Sequence, residues 1–213
     1  MTIRLVVFDV DGTLTTHSSI WWRLHEHFGT QAEGKAYFNR YFAGDINYKQ
    51  WATLDASLWK GKKIEDAAEL AKTSDLTPGA METVEALKDA GAELAIISGG
   101  LDIVAEHVGN RLGIDCVMTN RLLHEDGKIT GEVDVRVEWG EKGSLIQQIA
   151  NRFAVPLEQT AYVGDGKNDV SAFSHVGLSI AFCPEDDEVA EAADVVIKEN
   201  DLRFILDHLP NKT

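Results

Sequence analysis

Residues 5–14 read LVVFDVDGTL, an apolar run that delivers two carboxylates, Asp9 and Asp11, into a turn at Gly12 with Thr13 beside them. Alternate residues of a strand point the same way, so Asp9 and Asp11 face one site from the end of a buried strand. Two carboxylates that close repel each other unless a cation or a shared proton intervenes. The stretch predicts a metal site, a proton-handling pair, or both.

Downstream of this strand the pattern is regular. From about residue 76, short apolar runs at 93–97, 115–118, 160–163, 178–181 and 195–197 read as strands. Helical patterns lie between and after them, around 79–90, 101–112, 142–153, 167–175, 186–192 and 201–208. Such alternation predicts an α/β fold, a doubly wound Rossmann-like parallel sheet. Thr77-Pro78 reads as a helix cap followed by proline at the first helical position. Gly91 and Gly113 stand where two helices should stop. Between Asn120 and Asp134, two β-like runs flank Asp126-Gly127, a strong hairpin signal.

Residues 16–75 differ. They carry no strand pattern, and apolar residues recur at helical spacing: Trp21, Leu24, Phe28; Phe38, Tyr41, Phe42; Trp51, Leu54, Leu58. Ten of the 17 aromatic residues fall between Trp21 and Trp59, enough for a small helical core. The expected organisation is an α/β core of residues 1–15 and 76–213 with a helical cap, 16–75, inserted after the first strand. His25 and His27, two apart on a helix, face different sides and are expected at the surface rather than on a metal.

The chain has 213 residues, with 35 acidic against 20 basic and a formal charge of −15. That charge argues against nucleic acid and anionic membranes as partners. It still admits a small anionic substrate beside a bound cation. Cys116 and Cys183 lack metal-type spacing and are too few for a disulfide scaffold, which suggests buried thiols in a reducing compartment. With no signal segment before the first strand and no apolar run of about 18 residues, the expectation is a soluble cytoplasmic monomer or homodimer.

Four polar stretches end or follow strands: Asp9–Thr13, Ser98-Gly99-Gly100, Lys142, and Gly164-Asp165-Gly166-Lys167-Asn168-Asp169. In an open α/β sheet, ligands bind outside the carboxyl ends of strands, so these stretches should meet in one crevice. Singly, each is an ordinary turn, cap or solvated helix residue. Together they supply a phosphoryl-transfer set. One carboxylate can attack phosphorus and form an aspartyl-phosphate, and a second can shuttle the proton. A hard divalent cation such as Mg2+ would let the two anions meet, while a hydroxyl and an ammonium hold the equatorial oxygens. Asp9, Asp11, Ser98 and Lys142 fill these places.

The order DVDGT, SGG, lysine and GDGKND, with IISGGLDIVAEHV, TNRLLHEDGKITGEV and GLSIAFCP, resembles the phosphoserine phosphatase-like group of the haloacid dehalogenase superfamily. The resemblance covers about two thirds of the chain and is weakest in 16–75. It implies Asp9 as nucleophile and Asp11 as general acid/base. It implies Mg2+ held by the Asp9 carboxylate, the Asp11 carbonyl and Asp165, with Asp169 ordering the metal's water shell. Ser98 and Gly99 would bind phosphoryl oxygens, Asn168 would reach phosphate or substrate, and Lys142 would bridge Asp9 to the phosphate. Transfer to an acceptor alcohol instead of water is a variant of this chemistry. A receiver-like phospho-aspartate switch is an alternative of another class, which Asp11 and the large insertion disfavour.

Members that bind phosphoserine use a Glu after the nucleophile loop for the amine and a cap Arg for the carboxylate. Here Ser18 stands near the first position and Thr53 near the second, and neither carries a charge. Arg23, Arg40, Lys49, Glu26 and Glu33 are the nearby charged alternatives. The cap also offers Trp21, Trp22, Trp51, Tyr48 and His17, mostly as packing, with one or two lining an apolar or hydroxyl-rich pocket. The expected substrate is a small phosphomonoester, with phosphoserine only a modest one.

Overall fold

The alternation from residue 76 onward closes around the first strand as one seven-stranded sheet in this computed structural model, which describes residues 2–17 and 19–209. The strands are β1 (Leu5–Phe8), β2 (Glu93–Leu101), β3 (Cys116–Glu125), β4 (Lys128–Asp134), β5 (Thr160–Gly164), β6 (Leu178–Phe182) and β7 (Val195–Ile197). Their order across the sheet is β4-β3-β2-β1-β5-β6-β7, and only the β3–β4 pairing is antiparallel. Leu5–Phe8 is apolar throughout because β1 lies between β2 and β5 and is covered on both faces. The chain runs outward from β1 to β4 and then returns to β5 beside β1. That reversal opens a crevice at the carboxyl end of β1.

Side-chain alternation builds two apolar layers. Val6, Phe8, Ile96, Val163 and Ile180 belong to one; Leu5, Val7, Ala95, Ile97 and Tyr162 belong to the other. Residues 19–75 form α1 (Ile20–Phe28), α2 (Gln31–Phe42), α3 (Tyr48–Leu58) and α4 (Ile64–Lys72). An Asn47–Gln50 capping box starts α3. The layer containing Phe8 continues into these helices through Leu24, Ala52, Ala56, Trp59 and Ala67, with Trp59 wholly buried. The remaining helices are α5 (Ala80–Asp89), α6 (Asp102–Leu112), α7 (Lys142–Arg152), α8 (Val170–Phe173) and α9 (Asp187–Ala192).

Three local expectations are corrected. Thr77 does not cap α5. Gly79, at φ 77°, precedes that helix, while the Thr77 hydroxyl donates to Thr13 O (2.7 Å) and its N–H to Leu14 O (2.9 Å). It fastens the chain returning from the helices onto the loop after β1, a long-range partner that local sequence does not reveal. The strand at 115–118 and the first hairpin arm are one strand, β3, turning at Asp126 (φ 47°) and Gly127 (φ 74°). His25 is buried rather than exposed: its Nδ1 lies 2.8 Å from Thr30 Oγ1, and Gly34 of α2 leaves room for its ring. One further contact joins the helices to the hairpin. Gly61 N–H donates to Ile129 O, Ile129 N–H to Lys62 O and Ile64 N–H to Gly127 O, which pairs the edge of β4.

Candidate active site

Asp9 follows β1 directly, and its N–H donates to Val163 O of β5 (2.9 Å), which fixes its carboxylate at the crevice. Gly12 adopts φ 83°, and a Cβ there would stand 2.1 Å from Asp165 Oδ2. Glycine therefore lets the loop after β5 close onto the loop after β1. Thr13 Oγ1 donates to Asp165 Oδ1 (3.1 Å) and ties the two loops. Asp11 Oδ2 accepts the N–H of Ile20 (3.1 Å) at the start of α1, so this carboxylate also anchors the first inserted helix.

Lys142, the first residue of α7, is buried. Its Nζ lies 2.8 Å from Asp9 Oδ1 and 2.5 Å from Asp169 Oδ1. Tyr162 OH also donates to Asp169 Oδ1 (2.6 Å), while Asp169 Oδ2 accepts from the N–H groups of Asp165 (3.1 Å) and Gly166 (3.0 Å). Both Asp169 oxygens are thus doubly bonded to donors, which fills a carboxylate's acceptor sites. Asp9, Asp165 and Asp169 each bring an oxygen within 4.8 Å of the others.

Burial and the neighbouring carboxylates set the protonation of this cluster. Burial, partly offset by Lys142 and reinforced by Asp169, pushes Asp9 up to about 7. Burial, with Asp9 and Asp169 adding to it, pushes Asp165 up to about 8. Burial also raises Asp11. Burial alone would pull Lys142 down, but Asp169 and Asp9 outweigh it and hold the ammonium charged.

The stretch at Ser98 is a bulge. β2 pairs Ser98 with Thr119 and then Leu101 with Asn120, so Gly99 and Gly100 stand out from the ladder. Ser98 Oγ accepts the Gly100 N–H (3.0 Å), which leaves the hydroxyl proton for another acceptor. Gly99 O receives Trp21 Nε1 (3.1 Å), Tyr48 OH (3.3 Å) and Asn120 Nδ2 (3.0 Å). The Gly99–Gly100 peptide is therefore held at both ends.

Asp9, Asp11, Ser98, Gly99, Asp165 and Asn168 line one cavity of about 240 Å3, and Lys142 and Asp169 are bonded directly behind Asp9. The residues nominated from sequence come together. Asn120, Tyr162, Asp55, Glu138 and Trp139 were not nominated. Asn120 and Tyr162 read as strand residues whose partners lie across the sheet. Trp21, Tyr48 and Trp51 line the same cavity, whereas Trp22 and His17 do not.

None of the five charged alternatives lines it. Arg23 donates to Ser74 Oγ, Leu70 O and Thr73 Oγ1 and so pins the end of α4. Arg40 and Lys49 border a separate surface depression with the exposed Thr53. Glu26 and Glu33 are exposed, and the Ser18 position lies outside the described residues.

A carboxylate directly after the central strand β1, bonded to a lysine and facing a second acidic loop, is the arrangement the motif order led us to expect. The family model described as haloacid dehalogenase-like hydrolase matches residues 6–174, and the chain belongs to that family. It is 37% identical over 207 residues to a phosphoserine phosphatase of Methanocaldococcus jannaschii, covering 97% of each chain. It is 31% identical over 208 residues to one from Wolinella succinogenes, covering 97% of this chain and 100% of the relative. A solved phospho-aspartyl intermediate analogue of phosphoserine phosphatase matches with a TM-score of 0.85 at 36% identity, covering 99% of this chain and 100% of the other. Both the fold and the phosphoserine phosphatase-like resemblance read from the motifs are borne out.

Proposed function

We propose that the protein is a Mg2+-dependent phosphomonoesterase that hydrolyses a small phosphorylated metabolite through an aspartyl-phosphate on Asp9. The observation that carries this reading is the Lys142 ammonium on Asp9 Oδ1, with no described residue hydrogen-bonding Oδ2. One carboxylate oxygen is thereby neutralised and oriented while the other faces the cavity. The carboxylate oxygens of Asp9 and Asp165 suit a hard cation, and Lys142 alone, among the described residues, leaves the acidic cluster under-neutralised. Asp9, Asp165 and the Asp11 carbonyl would hold Mg2+, whose charge lets an anionic nucleophile approach an anionic phosphate. Asp169, its acceptor sites filled, holds the lysine and the loop in place.

In the first half-reaction an Asp9 oxygen forms a bond to phosphorus as the bond to the leaving alcohol breaks. Asp11, whose carboxyl burial pushes above its ordinary value, gives that alcohol its proton. The Ser98 hydroxyl and Asn168 hold phosphoryl oxygens while charge redistributes over them. In the second half-reaction Asp11 takes a proton from water, whose oxygen attacks phosphorus and releases Asp9 and phosphate. Helices 16–75 act as a cap that keeps bulk water out until the first step is complete.

The small cavity supports a small-molecule substrate. Among the described residues, no helix is long and apolar enough to cross a membrane. The free thiols of Cys116 and Cys183 support a reducing, cytoplasmic setting. Asp9→Asn should fold normally by circular dichroism and lose p-nitrophenyl phosphate hydrolysis by roughly 10^3-fold or more. Wild-type-like turnover by that variant would overturn the assignment.

A further inference from the structure

Resting on the phosphomonoesterase reading, we propose that the leaving group is a small alcohol bearing an ammonium group and no carboxylate. The basis is the cavity wall beyond the reactive oxygens. The inserted helices contribute Trp21, Tyr48, Trp51 and Asp55, and the loop after β4 contributes Glu138 and Trp139. Among the described residues lining the cavity there is no lysine, arginine or histidine. Lys142, behind the wall, is committed to Asp9 and Asp169. A carboxylate on the leaving group would meet two like charges and no partner.

The wall is instead complementary to a cation. Trp51 and Tyr48 stand nearly perpendicular, at 81° with centroids 5.8 Å apart, and Tyr41 stacks behind Trp51 at 4.8 Å. Both residues line the cavity, and an aromatic wall of this kind attracts a positive group. Asp55 stands beside them with its side chain only 3% exposed, and its Oδ1 has no hydrogen-bond partner. His25 Nε2 lies 3.3 Å from that oxygen, an ion-pair distance, and with Trp51 opposes the effect of burial on this carboxyl. A buried carboxylate oxygen without a donor is costly, and an ammonium N–H supplies both the donor and the opposite charge. Burial raises Asp55, and a bound cation would favour its ionised form. Glu138, exposed at the same cavity, adds negative potential that steers a cationic head inward. A neutral polyol would satisfy the donor requirement but not the charge.

The test compares kcat/KM for O-phosphoethanolamine, O-phosphoserine, glycerol 3-phosphate and p-nitrophenyl phosphate, all with Mg2+. The expected order places phosphoethanolamine about tenfold or more above phosphoserine and glycerol phosphate. Glu138→Gln and Asp55→Asn should each lower the ratio of phosphoethanolamine to p-nitrophenyl phosphate turnover. Glu138 is exposed, so its variant keeps the test open if the buried Asp55 variant fails to fold. Preference for phosphoserine or glycerol phosphate, or an unchanged ratio in the folded variants, overturns the leaving-group proposal alone when p-nitrophenyl phosphate is hydrolysed. Silence on all four esters overturns the phosphomonoesterase reading with it.

Discussion

Among the described residues Lys142 is the one ammonium bonded into the acidic cluster, and its removal tests what that pairing is worth. Lys142→Met leaves Asp9 and Asp169 buried without their cation, which should cost about 3–5 kcal/mol in urea unfolding at pH 8. The loss should shrink near pH 5, where the abandoned Asp9 carboxylate can neutralise by protonation. Asp9 and Asp165 give a second pH signature. Both sit above the ordinary 3.8, at about 7 and about 8, so between pH 4 and 8 the folded protein holds protons that the unfolded chain has released. Without metal, stability therefore falls as pH rises through that window. Mg2+ binds the deprotonated form, so thermal melts with and without it should show a larger stabilisation at pH 8 than at pH 5. An equal or reversed shift would contradict the metal assignment. Asp9, Asp11, Ser98 and Asp165 were legible because each stands at or just past the end of an apolar run, whereas Lys142 opens α7 and was read from its place in the motif order. Tyr162 was not, because an aromatic inside a strand looks like packing until its hydroxyl is seen on Asp169.

At the scale of elements, the sheet was legible from alternating apolar runs, and Gly91 and Gly113 end α5 and α6 with positive φ as read. Expectations departed from the structure where a long-range bond competed with a local rule. Thr77 was read as a cap but is bonded to the loop after β1. The helix read at 201–208 is a 3₁₀ segment over Leu202–Asp207, and that at 167–175 splits into a 3₁₀ turn and the short α8. Apolar spacing alone separates such forms poorly. Thr77→Val should cost about 1 kcal/mol by equilibrium unfolding, the net value of one hydrogen bond. Trp59→Ala should cost about 3–5 kcal/mol, because Trp59 is wholly buried in the layer shared by the helices and the sheet.

Across the whole molecule, that shared layer argues for one cooperative transition. Phe8 and Ile96 of the sheet belong to the same apolar cluster as Leu24, Ala56 and Trp59 of the inserted helices. Four of the five tryptophans, Trp21, Trp22, Trp51 and Trp59, lie in the inserted segment, so fluorescence reports it while far-UV circular dichroism reports the entire chain. The two urea curves should coincide, and an earlier fluorescence transition would show the helices melting alone. The insertion was legible as helical from its spacing. Its bonding to the hairpin through Gly61, Lys62 and Ile64 was not, because backbone pairing leaves no mark on side-chain identity.

The peptide joining Gly99 to Gly100 has a consequence of its own. Trp21 of α1 and Tyr48 of α3 grip its oxygen from the inserted helices, while its N–H sets the serine hydroxyl from the sheet. Displacing α1 and α3 would break two of the three bonds on that oxygen and leave Asn120 alone to hold it. Enclosure of the cavity and the setting of its phosphate-facing hydroxyl thus share a single peptide unit.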